Sequence, residues 1–160
     1  MSSFTDTKGE AWTISINLGT ALKLKQELEI DLLAEMKTPE GAFKYIASLD
    51  DDRFKLGQII YILAKPTTPG KTQDELFEAM DQEVAEAAYL ALMEAVIDFF
   101  PKSLREQMRT VFNKSMAIHK ENREGLLELS AEMINSPELE KRIRSQIHGE
   151  ISSDQPASSV

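Results

Sequence analysis

The chain has 160 residues, 42% of them hydrophobic and 28% charged, so it can bury a core and is too apolar to remain unfolded. Eighteen Lys and Arg stand against twenty-seven Asp and Glu, a net charge of −9, which opposes binding to DNA or RNA through clustered cations. There is no cysteine, which excludes disulfides and thiolate metal sites. The opening "MSSFTDTKGE" lacks the basic-then-apolar order of a signal peptide. No run reaches the roughly 20 apolar residues that span a bilayer. A cytoplasmic protein without a membrane partner is expected.

In chain order, Phe4–Thr7 and Ala11–Asn17 have the aromatic and β-branched content of strands, joined by a glycine-containing turn. Trp12, Ile14 and Ile16 alternate with Thr13 and Ser15, so one face of this hairpin is meant to be covered. A lone two-stranded hairpin is unstable in water, and helices must do the covering. Its free edge is also open to other chains.

From Leu18 the period changes. Leu18, Ala21, Leu22 and Leu28 follow helical spacing, and Asp31 is placed to cap a restart. Thr38 then caps a helix with Pro39 at its first position. Asp50 to Asp52 sit at the positive end of a further helix that stops at Lys65, before Pro66. After the "PTTPGKT" loop, Thr72 and Glu75 form a capping box for a short helix carrying Leu76, Phe77 and Met80. Asp81 caps the next helix, apolar on nearly all sides from Ala85 to Phe100 and expected to be the central buried one.

Pro101 ends it and starts another helix, with Leu104, Met108, Val111, Ser115 and Ile118 on a stripe and Gly125 as a place to kink or divide. Ser136 and Pro137 cap a last helix with a seam of Leu139, Ile143 and Ile147, and "EISSDQPASSV" has no pattern. The expected fold is mainly α: a small N-terminal β-hairpin packed on a multi-helix bundle, with a C-terminal helical extension. The expected boundaries are 1–101, 102–149 and a disordered tail at 150–160. Charge is uneven along the chain. Residues 1–100 carry nine Lys/Arg and eighteen Asp/Glu, net −9, whereas 101–149 carry nine and seven, net +2.

Chemistry-bearing patterns are scarce. "PGKT" at Pro69–Thr72 matches the end of a phosphate-binding loop. However, the glycine required five residues before Gly70 is Lys65, and a helix rather than a strand leads in. His119 and His148 lack second ligands at i+3 or i+4 and read as solvent-facing. "DDD" at Asp50–Asp52 lacks the spaced ligands and terminal glutamate of a calcium loop. No catalytic, cofactor-binding or metal site is expected, and no enzyme. What remains is interaction surface: Met80, Met93, Met108, Met116 and Met133 are spread over successive helices. Methionine serves either as core filler or as an adaptable groove lining.

The series "WTISIN" (Trp12–Asn17), "LEIDLL" (Leu28–Leu33), "LGQIIYILAKP" (Leu56–Pro66), "QDELFEAM" (Gln73–Met80) and "AAYLALMEAVIDFFP" (Ala87–Pro101) resembles the tail assembly chaperones of tailed bacteriophages and prophages. These are small proteins encoded between the tail tube and tape measure genes. The match covers Trp12 to Pro101 and is carried by hydrophobic positions with a few marked spots. It implies a protein of the host cytoplasm, absent from the mature virion, that keeps the tape measure protein soluble during tail tube assembly and then leaves. The tail tube protein and further copies of the chain are secondary partners. The expected partner-binding groove comprises Trp12, Ile59, Ile60, Leu63, Phe77, Met80, Phe99 and Phe100. Two other readings are a structural tail or neck component retained in the virion and an acidic regulator of a host protein.

Overall fold

The computed structural model describes residues 2–134 and 137–153. Two compact units are present, residues 1–110 and 111–160. The expected cap at Ser136, the tail from residue 154, and the side chains of His119, Leu139 and Met133 lie outside what is described.

The first unit begins with a two-stranded antiparallel sheet, β1 (Ser2–Thr5) and β2 (Ala11–Ile14), with Phe4 opposite Trp12. β1 lies two residues earlier than its composition indicates, because the turn starts at Asp6. The Gly9 amide donates to the Asp6 carbonyl, the Asp6 amide donates to the Glu10 carbonyl, and Gly9 has φ +81°. This is a type I turn closed by a glycine bulge. The Asp6 carboxylate organises it: Oδ1 accepts from the Lys8 and Glu10 amides, and Oδ2 accepts from Trp12 Nε1, each at 2.9 Å. Burial alone would raise the Asp6 pKa, but these donors and the charge of Lys71 hold it below the ordinary aspartate value.

Four caps follow the expected positions, at Asp31, Thr38, Thr72 and Asp81; the cap at Asn17 was not anticipated, and Asp52 is the capping residue among the aspartates expected at the positive end of the helix dipole. Asn17 caps α1 (Leu18–Leu28) in a reciprocal box with Thr20, and Asp31 caps α2 (Leu32–Glu35). Thr38 caps α3 (Pro39–Ser48), with Pro39 at its start. Asp52 caps α4 (Arg53–Ala64), and Thr72 and Glu75 form the box of α5 (Gln73–Glu78). A cap of this kind contributes about 1 kcal/mol. Asp81 caps α6 (Gln82–Phe99) through the Val84 amide at 2.8 Å.

The stripe expected on α1 is rotated. Thr20, Ala21 and Leu24 are buried, whereas Leu18 is 72% exposed and Leu22 54%. Thr20 sets the phase: its hydroxyl donates to the Ser15 carbonyl at 3.0 Å. That faces Thr20 toward the end of the hairpin, brings Leu24 inward one turn later, and turns Leu18 and Leu22 outward.

The centre of the unit belongs to α4 rather than to α6. Helix α4 touches α1, α5, α6 and β2 and buries Leu56, Ile59, Ile60, Ile62 and Leu63. Helix α6 packs on β1, β2 and α4 and buries Val84, Ala88, Leu92 and Val96 together with Met93 and Ile97, leaving its acidic side outward. Its Glu94 and Asp98 point outward to Arg109, at 2.9 Å each. Trp12 and Ile14 are buried, so the hairpin covers α4 and α6 as expected, but β2 ends at Ile14, and Ile16, expected on the same covered face, is only half-buried. The hairpin is also tied down by backbone: the Ser15 amide donates to Leu63 O, and the Thr7 amide donates to Ala79 O.

Among the described residues two more helices complete a mainly α chain, α7 (Lys102–Ile134) and α8 (Pro137–Ser153). Helix α7 contributes its first turns to the first unit, through buried Met108 and the forked Arg109 pair. The unit therefore runs to residue 110 rather than 101. Gly125 does not divide α7, which is continuous from Lys102 to Ile134. Within the second unit, Val111 and Ile118 on α7 and Ile143 and Ile147 on α8 are about half exposed or more. The anticipated α7 stripe is thus buried at Met108 and open at Val111 and Ile118. Helix α8 continues to Ser153, so order extends past residue 150, where a tail was expected to begin.

Candidate functional site

One depression of the first unit lies between the start of α4, α5 and the start of α6. It has a volume of about 370 Å³ and is lined by Arg53, Phe54, Phe77, Met80, Asp81, Gln82 and Ala85. Phe54 is 79% exposed, an unusual position for a large aromatic. Phe77 is held in place from behind by Gly57: a Cβ built there would lie 2.6 Å from Phe77 Cε1. Only glycine lets the ring of α5 rest on the backbone of α4.

Asp81 is part of this lining, and further acidic residues neighbour it along the chain. Asp52 and Asp81 are spent on helix caps, accepting from the Lys55 and Val84 amides. Asp50 pairs with Arg53 at 3.0 Å, so the one cation of the lining is neutralised. Asp51, Glu78 and Glu83 are exposed. Burial pushes the Tyr89 phenol up, with Asp50 adding to the shift and Arg53 opposing it. That side chain stays neutral.

Two shallower hollows differ in character. One, about 540 Å³, lies between α1 and α2, with Leu18, Leu22 and Leu33 on its floor and Lys25 and Lys37 among its lining. Lys25 pairs with Asp31 at 2.9 Å. The other, about 170 Å³, brings Ile14 and Ile16 beside Ala95 and Phe99.

The expected groove residues do not form a single surface. Trp12, Ile59, Ile60, Leu63 and Phe100 are buried and present nothing to a partner in this fold. The reason is that α4 is surrounded by neighbours, so its aliphatic side chains are consumed by the core. Trp12 is further engaged by Asp6, and Lys71 Nζ lies 5.4 Å from its ring while pairing with Glu10 at 2.7 Å. Phe77 and Met80 do meet, in the 370 Å³ depression. Phe99 is 38% exposed and lines a different hollow.

Sequence reasoning missed Phe54, Leu18 and Leu22. Phe54 was detectable in principle: it lies two residues before Leu56, roughly 200° around the helix from a core position. Methionine divides between its two roles, with Met93 and Met108 in the core and Met80 on the depression.

Thr72 caps α5, the role that competed with phosphate binding for "PGKT". Among the described residues no group of three or more His, Cys, Asp and Glu is arranged to hold a metal ion. Among them, too, no helix is long and apolar enough to cross a membrane. The fold and site define a mainly α protein with an N-terminal β-hairpin and open apolar depressions on an acidic body. No protein-family profile, curated protein or solved structure matches the chain.

Proposed function

We propose that this protein is a phage tail assembly chaperone, which binds the tape measure protein in the host cytoplasm and keeps it soluble until tail tube subunits replace it. The observation that carries the reading is the spare apolar surface left after a well-filled core has formed. Phe54, Leu18 and Leu22 stay exposed although Leu24, Leu56, Ile59, Ile60, Leu63 and Leu92 are fully enclosed. Exposed apolar clusters of this kind mark interaction sites.

The acidic balance suits such a role, because net charge keeps a complex with an aggregation-prone helix dispersed. Shallow depressions favour contacts weak enough to be displaced, with several copies along one long helix supplying avidity. The resemblance over Trp12–Pro101 supplies the identity of the client.

Co-expression with a tape measure protein should yield a soluble complex that co-purifies. If both proteins are folded and none forms, the reading fails. Mass spectrometry of purified virions should find no stoichiometric copies of the chain. Their presence would favour a retained tail component instead.

A further inference from the structure

We infer that the depression formed by Phe54, Phe77 and Met80 receives an amphipathic helix whose apolar face is flanked by lysine or arginine. The inference rests on the chaperone reading only for which protein supplies that helix.

Three observations converge on it. The floor is apolar and adaptable: an aromatic side chain pinned on Gly57, a methionine, Ala85, and a Phe54 that stands in water. Such a floor accepts aliphatic side chains at i, i+3 or i+4, and i+7 of a helix. The only cation of the lining, Arg53, is already paired with Asp50. Around it, Asp51 and Glu83 lie within two positions of lining residues and are exposed, Glu78 pairs with Lys8 at 3.8 Å, and Lys55 next to Phe54 is half-buried, so acidic groups outnumber basic ones. An acidic segment laid across this floor would meet like charge at its rim, whereas a basic one would find complementary charge. In the α1–α2 hollow Lys25 is likewise paired, with Asp31 at 2.9 Å, and Lys37 is the other cation of the lining.

The test uses the full chain and two fluorescein-labelled helical peptides, each roughly 20 residues, long enough to form helix in isolation. They share leucines at helical spacing and differ only in carrying Lys or Glu beside them. Anisotropy titrations at low salt should give at least about a tenfold preference for the Lys-flanked peptide, shrinking at about 0.5 M salt as the rim charges are screened.

Phe54→Asp should weaken that peptide about tenfold without altering the melting temperature, because the side chain is exposed. Asp51→Lys with Glu83→Lys should abolish or reverse the preference and leave both capping aspartates in place. Leu18→Asp, in the other hollow, should leave it unchanged. Equal affinity for the two peptides, binding of neither, or an unaffected Phe54→Asp variant would each overturn the inference.

A tape measure protein captured equally well by wild type and Phe54→Asp would remove this docking site and leave the chaperone reading standing. Peptide binding as expected, with no capture of a tape measure protein, would do the reverse.

Discussion

The same aliphatic residues behave differently in the two units. In residues 1–110, Leu24, Ile46, Leu56, Ile60, Leu63 and Leu92 are completely enclosed. In the second unit, Val111, Ile118, Ile143 and Ile147 repeat at helical spacing and remain about half exposed or more. Periodicity is therefore a property of one helix, and burial is a property of its neighbours. Helix α4 is enclosed because four elements meet it, whereas α8 leaves Ile143 and Ile147 about half exposed. The hydrophobic effect rewards area removed from water, so the first group should dominate stability and the second should scarcely register.

Substitutions can break or sharpen this contrast. The largest effect is expected from Trp12→Ala, which empties the space between hairpin and helices and strands the carboxylate of Asp6. A loss of roughly 3–5 kcal/mol in urea unfolding is expected; an unchanged midpoint would mean that the hairpin is not a structural lid.

Asp6→Ala should follow, at roughly 1–3 kcal/mol, since three donors lose their acceptor. It also carries a pH signature. The folded pKa lies below the ordinary value of 3.8, so the charged carboxylate stabilises the fold fully above that value. The contribution disappears as pH falls through the folded pKa. Melting temperature in wild type should therefore drop below about pH 4, and the drop should be smaller in Asp6→Ala.

Gly57→Ala should cost about 1–3 kcal/mol by forcing Phe77 off the α4 backbone. It should also weaken peptide binding at the depression. Thr72→Ala removes one cap from α5, worth about 1 kcal/mol by thermal melting. At the small end, Ile147→Ala on α8 should change stability by less than about 0.5 kcal/mol. A larger loss would show that the open seam is covered in solution.

The caps were the most legible part of the sequence. Asp31, Thr38, Thr72 and Asp81, beginning their helices, act over three or four residues and need no knowledge of the rest of the fold, although Asn17 at the start of α1 was overlooked. The hairpin was readable from alternation, but its first strand was displaced by Asp6, whose side chain starts the turn earlier than composition indicates. Central placement was misjudged. Both α4 and α6 are apolar nearly all round, and only the chain's path decides that α4 is surrounded.

For the same reason the expected groove drew on residues that the core consumes, Ile59, Ile60 and Leu63 among them. The candidate site was half legible: Phe77 and Met80 were anticipated, while Phe54 and Leu18 were not. Exposure of an apolar side chain depends on helix phase, and in α1 that phase was set by one threonine hydroxyl bonded across the hairpin's end.

The bond from the Thr7 amide to the Ala79 carbonyl links a surface turn to the residue that ends α5. In deuterated solvent an amide in such a turn would normally lose its proton almost at once. Here it can open only when hairpin and helix separate, so its exchange should be slowed to the pace of the interior. A solvent-side loop would then act as a sensitive gauge of whether the whole first unit is intact.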